Sequence, residues 1–526
     1  MRVAKCPPRN GNGLIMLFGD IIERGTKRNP LGEALRLGEE AVSYVDLAAR
    51  VEQAASALLA SGLRAGERVA VYLPKSFESV IALFAAARAG GVFVPVNPVL
   101  KARQVNHILA DSGAAVLVTS TDRLDALRQG ETGLPDSIRT IVAADTGWDG
   151  FMAAGGSGAL GHPLPDDLAA LLYTSGSTGL PKGVMLSHRN LVTGAQSVSS
   201  YLGNTAEDRI LCALPLSFDY GLSQVSTAFL TGASAVLINH LFPRDIVGAL
   251  ERHAITGLGC VPPLWLQVLA LDWPDSIASS LRYVTNSGGR MPRHAIETLR
   301  QRLPRTKIFL MYGLTEAFRS TYLDPAEIDA RPDSIGKAIP FARIDVIDAQ
   351  GESAAPGVPG ELVHSGPLVA RGYWNDPART AARFRPLPAA LGGGDPAVWS
   401  GDMVTRDADG FLYFVERQDN LIKTSGYRVS PTEVEDVLYE APGVAEAVAL
   451  GIPHPSLGQA IVCLVALHDE DETSTDDVLA HCRAQLPAFM VPRTIVLRER
   501  LPRNPNGKID RSGLVRELAG MFGTAP

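Results

Sequence analysis

Residues 171–183 read Leu-Leu-Tyr-Thr-Ser-Gly-Ser-Thr-Gly-Leu-Pro-Lys-Gly. Two leucines and a tyrosine end a strand, and a dense run of glycine, serine, threonine and one lysine follows. Glycine lets a backbone curl close to an anion with no Cβ in the way, while free N–H groups, hydroxyls and an ammonium supply donors. That is the chemistry of a loop wrapped around a polyphosphate, with Thr174, Ser175, Gly176, Ser177, Thr178, Gly179 and Lys182 as its donors and hinges. A Walker A loop needs Gly immediately before Lys and Ser or Thr after it. Here Pro181 precedes Lys182 and Gly183 follows, so that reading is excluded. A plain flexible turn would share the composition but not this residue order.

Tyr-Thr-Ser-Gly-Ser-Thr-Gly-x-Pro-Lys-Gly resembles the signature of the AMP-forming adenylating superfamily: acyl-CoA synthetases, peptide-synthetase adenylation domains and luciferases. Four further segments resemble that family in the same order. They are Leu-Met-Tyr-Gly-Leu-Thr-Glu at 310–316, Ser400-Gly401-Asp402, Arg-Gln-Asp-Asn-Leu-Ile-Lys-Thr-Ser-Gly-Tyr-Arg at 417–428, and Leu-Pro-Arg-Asn-Pro-Asn-Gly-Lys at 501–508. Five ordered motifs across about 350 residues exceed what coincidence supplies, although one alone would be weak.

The resemblance implies attack of a carboxylate on the α-phosphate of ATP, giving an acyl-adenylate and pyrophosphate, after which a thiol displaces AMP. The first step presses anions together, so positive charge and Mg²⁺ must neutralise them. By resemblance Lys508 bridges the substrate carboxylate and the adenylate. Glu316 is a hard oxygen ligand suited to Mg²⁺, and Thr174 with its loop holds the β- and γ-phosphates. Asp402, at the end of an apolar segment, is an acceptor for paired ribose hydroxyls. Tyr312 stacks on adenine, beside Gly313 and Thr315. Asn286, Ser287, Gly288 and Gly289 line the adenine and the acyl group. Arg417 and Arg428 contact ribose or phosphate, with surface ion pairing as the alternative. Asp419 is the hinge, and Lys423, Ser425 and Gly426 line a pantetheine tunnel where a Cβ would obstruct the thiol. One departure is Glu416, where the family commonly has glycine.

The acid is addressed by Pro-Leu-Ser-Phe-Asp-Tyr-Gly-Leu-Ser-Gln at 215–224. Asp219, Tyr220 and Ser223 on this segment, with Arg319, are the expected acyl-pocket residues. Amino-acid-activating relatives carry an aspartate at the position of Asp219, where it pairs with the substrate ammonium. A buried carboxylate needs a partner or shifts its pKa, and that partner is either a substrate ammonium or Arg319. The segments around Asp219, Asn286 and Glu316 resemble most the AMP-forming acyl-CoA ligases of bacterial exosortase A systems. No carrier-protein attachment motif follows residue 520, so the thiol is expected in trans, from CoA or a separate phosphopantetheinyl carrier protein. A non-catalytic adenylate sensor would be expected to have lost Lys508 or Glu316, and both are present.

These residues need rigid elements to hold them. Apolar residues at helical spacing cover Val42–Gly62, Arg68–Leu73 reads as a buried strand, and Ser79–Arg88 as an Ala-rich helix stopped by glycines. Val92–Val96, Ala115–Val118 and Phe411–Val415 read as further strands. Strands alternating with helices predict an α/β fold with mostly parallel sheets. A chain of 526 residues exceeds a single core. The expected division is a large adenylation domain at 1–418 and a small mobile α+β domain at 419–526. The Gly-rich loop between Pro386 and Pro396 is read as a surface insertion, not as the boundary.

Composition narrows the class further. Hydrophobic content of 46% and charged content of 20% fit an ordinary globular chain. A net charge of −7 gives no electrostatic footprint for nucleic acid or an acidic membrane. Five scattered cysteines without a Cys-x-x-Cys pair read as buried thiols, not a disulfide framework or a zinc site. No apolar run is long enough to span a bilayer and no export signal is visible, so a cytoplasmic enzyme is expected.

Overall fold

The computed structural model describes residues 16–130, 133–156, 161, 163–174, 181–289, 291, 293–394, 396–417, 421–467, 473–502 and 509–523. Three sheets organise them. In the six-stranded sheet the spatial order is Thr140–Ala143, Ala114–Thr119, Arg68–Tyr72, Val92–Pro95, Leu168–Thr174, Lys182–Ser187. All pairs are parallel except the last. The strands Ala114–Thr119 and Val92–Pro95 are buried along their whole length. That is why they read as unbroken apolar runs and not as alternating patterns.

The second sheet has fourteen strands. Its parallel part contains Glu33–Leu37, Ser234–Leu237, Arg209–Cys212, Gly257–Cys260, Tyr283–Asn286 and Lys307–Tyr312. It continues through antiparallel strands that include Pro396–Arg406 and Leu412–Arg417. A separate five-stranded sheet carries Ile422–Thr424, Tyr427–Val429, Val444–His454, Gly458–Leu467 and Thr494–Leu497. The chain therefore changes sheets between Arg417 and Ile422. The strands Phe384–Pro386 and Pro396–Arg406 pair with Pro386 opposite Pro396. The segment between them thus connects two neighbouring strands of one sheet.

Helices sandwiched between the two large sheets make the main core. Phe18 stacks on Phe84 at 4.7 Å, and Phe84 meets Phe229 at 5.3 Å. These contacts tie the helix Phe77–Arg88 to the helix Asp219–Thr231. Ser76 caps the first of them, accepting from the Ser79 amide, and Gly232 in the left-handed region ends the second. Removing the Phe84 ring would cost about 3–5 kcal/mol and loosen the packing of Phe229 on the second helix. Observed boundaries shift by a few residues from the sequence reading, as at Tyr44–Ala60, where Ser43 provides the cap. Cys212, Cys260, Cys463 and Cys482 are free and buried.

Candidate active site

In open parallel sheets the residues beyond the carboxyl ends of the strands form the binding crevice. Two such edges face each other here. Lys75, Asn97 and Thr174 follow or end strands of the six-stranded sheet, while Asp219, Ser287 and Thr315 follow strands of the larger one. Together they line one cavity of about 550 Å³.

Charge gathers beside the part of this cavity lined by Thr174 and Thr315. Thr174 and Lys182 sit opposite each other at the end of an antiparallel strand pair. The Thr174 hydroxyl is buried with no protein partner among the described residues. Lys182 places its Nζ 3.4 Å from Glu316 Oε1 and 3.9 Å from the centre of the Tyr373 ring. Tyr373 donates its hydroxyl to Glu316 Oε1 at 2.7 Å. Burial alone would raise the Glu316 carboxyl, but Lys182, Arg383, the Tyr373 hydroxyl and Arg428 hold it well below the usual carboxylate range. Glu316 is therefore ionised while buried, which one carboxylate must be if phosphate oxygens and water are to complete a Mg²⁺ shell. Among the described residues no group of three acidic, histidine or cysteine side chains could hold a metal unaided.

Beside this cluster, Tyr312 ends its strand and donates its hydroxyl to Asp402 Oδ2. Asp402 is buried and pairs in register with Arg417 across the strands Pro396–Arg406 and Leu412–Arg417. Glu416 pairs with Met403 in the same ladder. Asn286 donates from Nδ2 to the Gly289 carbonyl at 3.0 Å, and its Oδ1 is buried without a protein partner among the described residues. Gly313 and Thr315 lie on the cavity wall.

The acyl side is arranged differently. Asp219 opens its helix and is buried on the cavity wall. Burial raises its pKa, although Arg319 and Arg428 pull the other way. Arg319 is committed elsewhere: Nη1 donates to Ser287 Oγ at 2.7 Å, and the guanidinium lies 4.6 Å from the centre of the Tyr220 ring. Among the described residues no ion pair joins Asp219 to Arg319, so the simple pairing weighed from the sequence is not formed. Tyr220 turns into the core with its hydroxyl 2.5 Å from Thr285 Oγ1, and the Ser223 carbonyl accepts from Thr227 Oγ1. Neither lines the cavity, which corrects the expectation that all four residues would.

The C-terminal hairpin closes one wall. Ser425, Gly426, Tyr427 and Arg428 line the cavity, whereas Lys423 sets its Nζ 4.6 Å from the centre of the Phe414 ring. Gly426 has φ +83°, and a Cβ there would stand 2.7 Å from Val261 Cγ2. Its glycine is needed both for the turn and for the close approach to the large domain. Ser175, Gly176, Ser177, Thr178, Gly179, Asp419 and Lys508 lie outside the described residues.

With this geometry in view, two family models match the chain. Residues 22–374 match the AMP-binding enzyme model, and residues 433–508 match the AMP-binding enzyme C-terminal domain. The chain belongs to the AMP-binding enzyme family. A feruloyl-CoA synthase from Amycolatopsis sp is 33% identical over 507 residues, spanning 94% of this chain and 98% of the relative. An L-proline–[L-prolyl-carrier protein] ligase from Streptomyces coelicolor is 33% identical over 515 residues, spanning 93% and 94%. Among solved structures, o-succinylbenzoate CoA synthetase from Bacillus subtilis, bound with a product analogue, superposes with a TM-score of 0.81 at 27% identity, covering 94% of this chain and 97% of that one. The expected fold, and the expected class of AMP-forming acid–thiol ligase, stand on these likenesses.

Sequence reasoning missed several residues of this AMP-binding enzyme. Tyr373 and Arg383 stand 57 and 67 positions beyond Glu316, and only folding brings them to it. The Gly372-Tyr373-Trp374 run, two aromatics after a glycine, was the one local hint. Lys75 and Glu433 also line the cavity. Lys75 was legible only as a lone lysine in the apolar stretch between a strand and a helix.

Proposed function

We propose that this protein joins a carboxylic acid to a thiol in two steps: ATP activates the acid as an acyl-adenylate with release of pyrophosphate, and CoA then takes the acyl group. The observation that carries this reading is the Lys182–Glu316–Tyr373 cluster, flanked by Thr174 and Thr315 on the wall of a cavity that the Ser425–Arg428 hairpin also lines, with Arg428 acting on Glu316. In the first step the loop from Thr174 to Lys182 holds the β- and γ-phosphates, Asp402 takes the ribose, and Lys508 neutralises the attacking carboxylate. Mg²⁺, held through Glu316 and the phosphates, supplies positive charge when bound. Preorganised cations and donors aimed at developing charge are the largest source of such rate enhancement. In the second step the segment Lys423–Gly426 forms the thiol's route, and rotation about Asp419, at the boundary between 1–418 and 419–526, exchanges the two arrangements.

A second reading has its own support. Asp219 is buried without an ion-pair partner, and a curated relative loads proline onto a carrier protein. On that reading the acid is an amino acid and the thiol belongs to a separate carrier protein. The resemblance to ligases of exosortase A systems supports a bacterial, cytoplasmic setting; among the described residues no helix is long and apolar enough to cross a membrane.

The test is an assay with ATP, Mg²⁺ and a panel of acids, with and without CoA. Pyrophosphate and AMP are expected in equal amounts. Stoichiometric ADP and phosphate would sink the assignment.

A further inference from the structure

Lys75 is buried on the cavity wall, and burial holds its pKa down to about 8. Its Nζ donates to the carbonyls of Ala213 at 2.8 Å and Leu214 at 3.2 Å. An ammonium has three N–H groups, so one remains after these two. No carboxylate relieves the charge: the one group that favours it is Cys212, itself buried with its thiol pKa pushed up to about 12. A desolvated cation with no counter-ion is costly to maintain.

The lysine is also held in place. Asn239 clasps its backbone from the next sheet, donating from Nδ2 to the Lys75 carbonyl at 2.7 Å and accepting from the Lys75 amide at 3.1 Å. His240, the following residue, lines the same cavity, and its Nδ1 is buried with no partner among the described residues. Burial first, and then the Lys75 charge, lower the His240 pKa, so the two side chains lie within electrostatic reach of each other. None of the charged groups that act on Glu316 or Asp219 acts on Lys75. Lys75 and His240 both line the cavity, apart from the charges that act on Glu316 and Asp219.

We propose that Lys75 and His240 form an anion-accepting subsite for the far end of the acid, so that the preferred substrates are carboxylic acids carrying a second acidic group distal to the carboxyl that is activated. This deepens the acid–thiol ligase reading and rests on it. The distal group accepts the free Lys75 N–H and a proton donated by His240, replacing the missing counter-ion with charge-assisted hydrogen bonds. The thiol donor's phosphates are the other source of an anion, but the geometry favours the acid. Lys75 is tied to the carbonyls of the Ala213–Leu214 segment that leads into the Asp219 helix. The C-terminal wall brings Tyr427, Phe489, Met490 and the carboxyl of Glu433, and its one cation on the cavity, Arg428, acts on Glu316 and Asp219 rather than beside Lys75.

The experiment compares adipate with hexanoate, and suberate with octanoate, by pyrophosphate release from the wild-type protein, Lys75→Met and Lys75→Arg. The wild type is expected to favour each diacid by at least ~10-fold in kcat/KM. Lys75→Met should erase that ratio, chiefly through KM, and Lys75→Arg should retain part of it. A lysine that merely braces the two carbonyls would instead lower both members of each pair equally, and that result overturns the proposal. So does a wild-type ratio of one, or a rise in KM confined to CoA. Thermal shift with adipate alone separates this subsite from the reaction. If no acid yields pyrophosphate yet adipate still raises the Tm of the wild type and not of Lys75→Met, the subsite stands and the ligase reading falls. No shift in either protein, with no diacid preference, removes the subsite.

Discussion

The Glu316 cluster and the cavity wall that carries Asp219 and Lys75 bury charge at similar depth and handle it in opposite ways. Around Glu316 every charge has an answer: Lys182 at 3.4 Å, the Tyr373 hydroxyl at 2.7 Å, and the fields of Arg383 and Arg428. On the cavity wall, Asp219 and Lys75 each carry a desolvated charge with no ion-pair partner among the described residues, and burial moves each pKa toward the neutral form. Desolvation costs the same kind of free energy in both places, so the difference lies in what completes the site. The Glu316 cluster is self-sufficient, with its carboxylate ionised before anything binds, as suits the nucleotide site proposed there. An acyl site that leaves charges open is completed by its substrate, and selectivity follows, because an acid lacking the matching group leaves a buried charge unpaired.

The sharpest way to break this contrast is at the nucleotide end. Lys508→Ala is expected to lower adenylate formation by ~10²–10³-fold or more. Thiolysis of supplied acyl-adenylate should change little if, as proposed, the lysine serves one domain arrangement. Pyrophosphate release and single-turnover thiolysis measure the two separately. Equal loss in both, without unfolding, would remove domain alternation from the account.

Gly426→Leu is expected to do the reverse, reducing thioester formation by about 100-fold with pyrophosphate release nearly intact. A side chain there meets Val261 and requires positive φ, so the hairpin cannot seat against the large domain. If thioester formation survived at the wild-type rate, the hairpin would not be part of the thiol's path.

A smaller effect is expected at Asp219. If an ammonium answers that carboxylate, Asp219→Ala should lower kcat/KM for an amino-acid substrate by at least ~10-fold, since about 1.4 kcal/mol corresponds to that factor. Discrimination against the des-amino analogue should relax in parallel. Wild-type turnover of octanoate at the rate of any amino acid would end the amine reading. A diacid lacking an amine could still be the substrate, so this variant and Lys75→Met sharpen the acyl end independently.

The smallest effect concerns stability. Burial, then Asp436, raise the Glu433 carboxyl to about 8 against the opposing pull of Arg103. A carboxyl whose folded pKa lies above its unfolded value binds more protons in the folded state between the two. Its contribution is present in acid and is lost as pH rises from about 4.5 to about 8. Glu433→Gln should therefore be more stable than the wild type at pH 8, by on the order of 1–3 kcal/mol, with the difference fading toward pH 4.5. Denaturant titrations across that range decide it, and a pH-independent difference would show that the carboxyl is not buried as described.

Much of this enzyme was legible before folding. Contiguous motifs such as Tyr173–Gly183 and Leu310–Glu316 encode local backbone geometry and local donors, and both lie where strands end. Strand and helix positions in the first 120 residues follow from apolar spacing because parallel strands between helices must be apolar throughout. The acyl side was read less well. Tyr220 and Ser223 follow Asp219 on one helix, but the residues at each helical position face different directions, and these two face the core.

What the sequence by itself determined is the reaction class: the five ordered motifs between residues 171 and 508 need no long-range contact to be recognised. What only the tertiary structure decided is how the charges are paired. Tyr373 and Arg383 reach Glu316, Arg319 turns to Ser287 and leaves Asp219 open, and Asn239 clasps Lys75 from another sheet. Those outcomes depend on which strands become neighbours and which helix faces are buried. Electrostatic pairing acts through space over a few ångströms, and residues far apart along the chain come within that range only once the sheets are assembled.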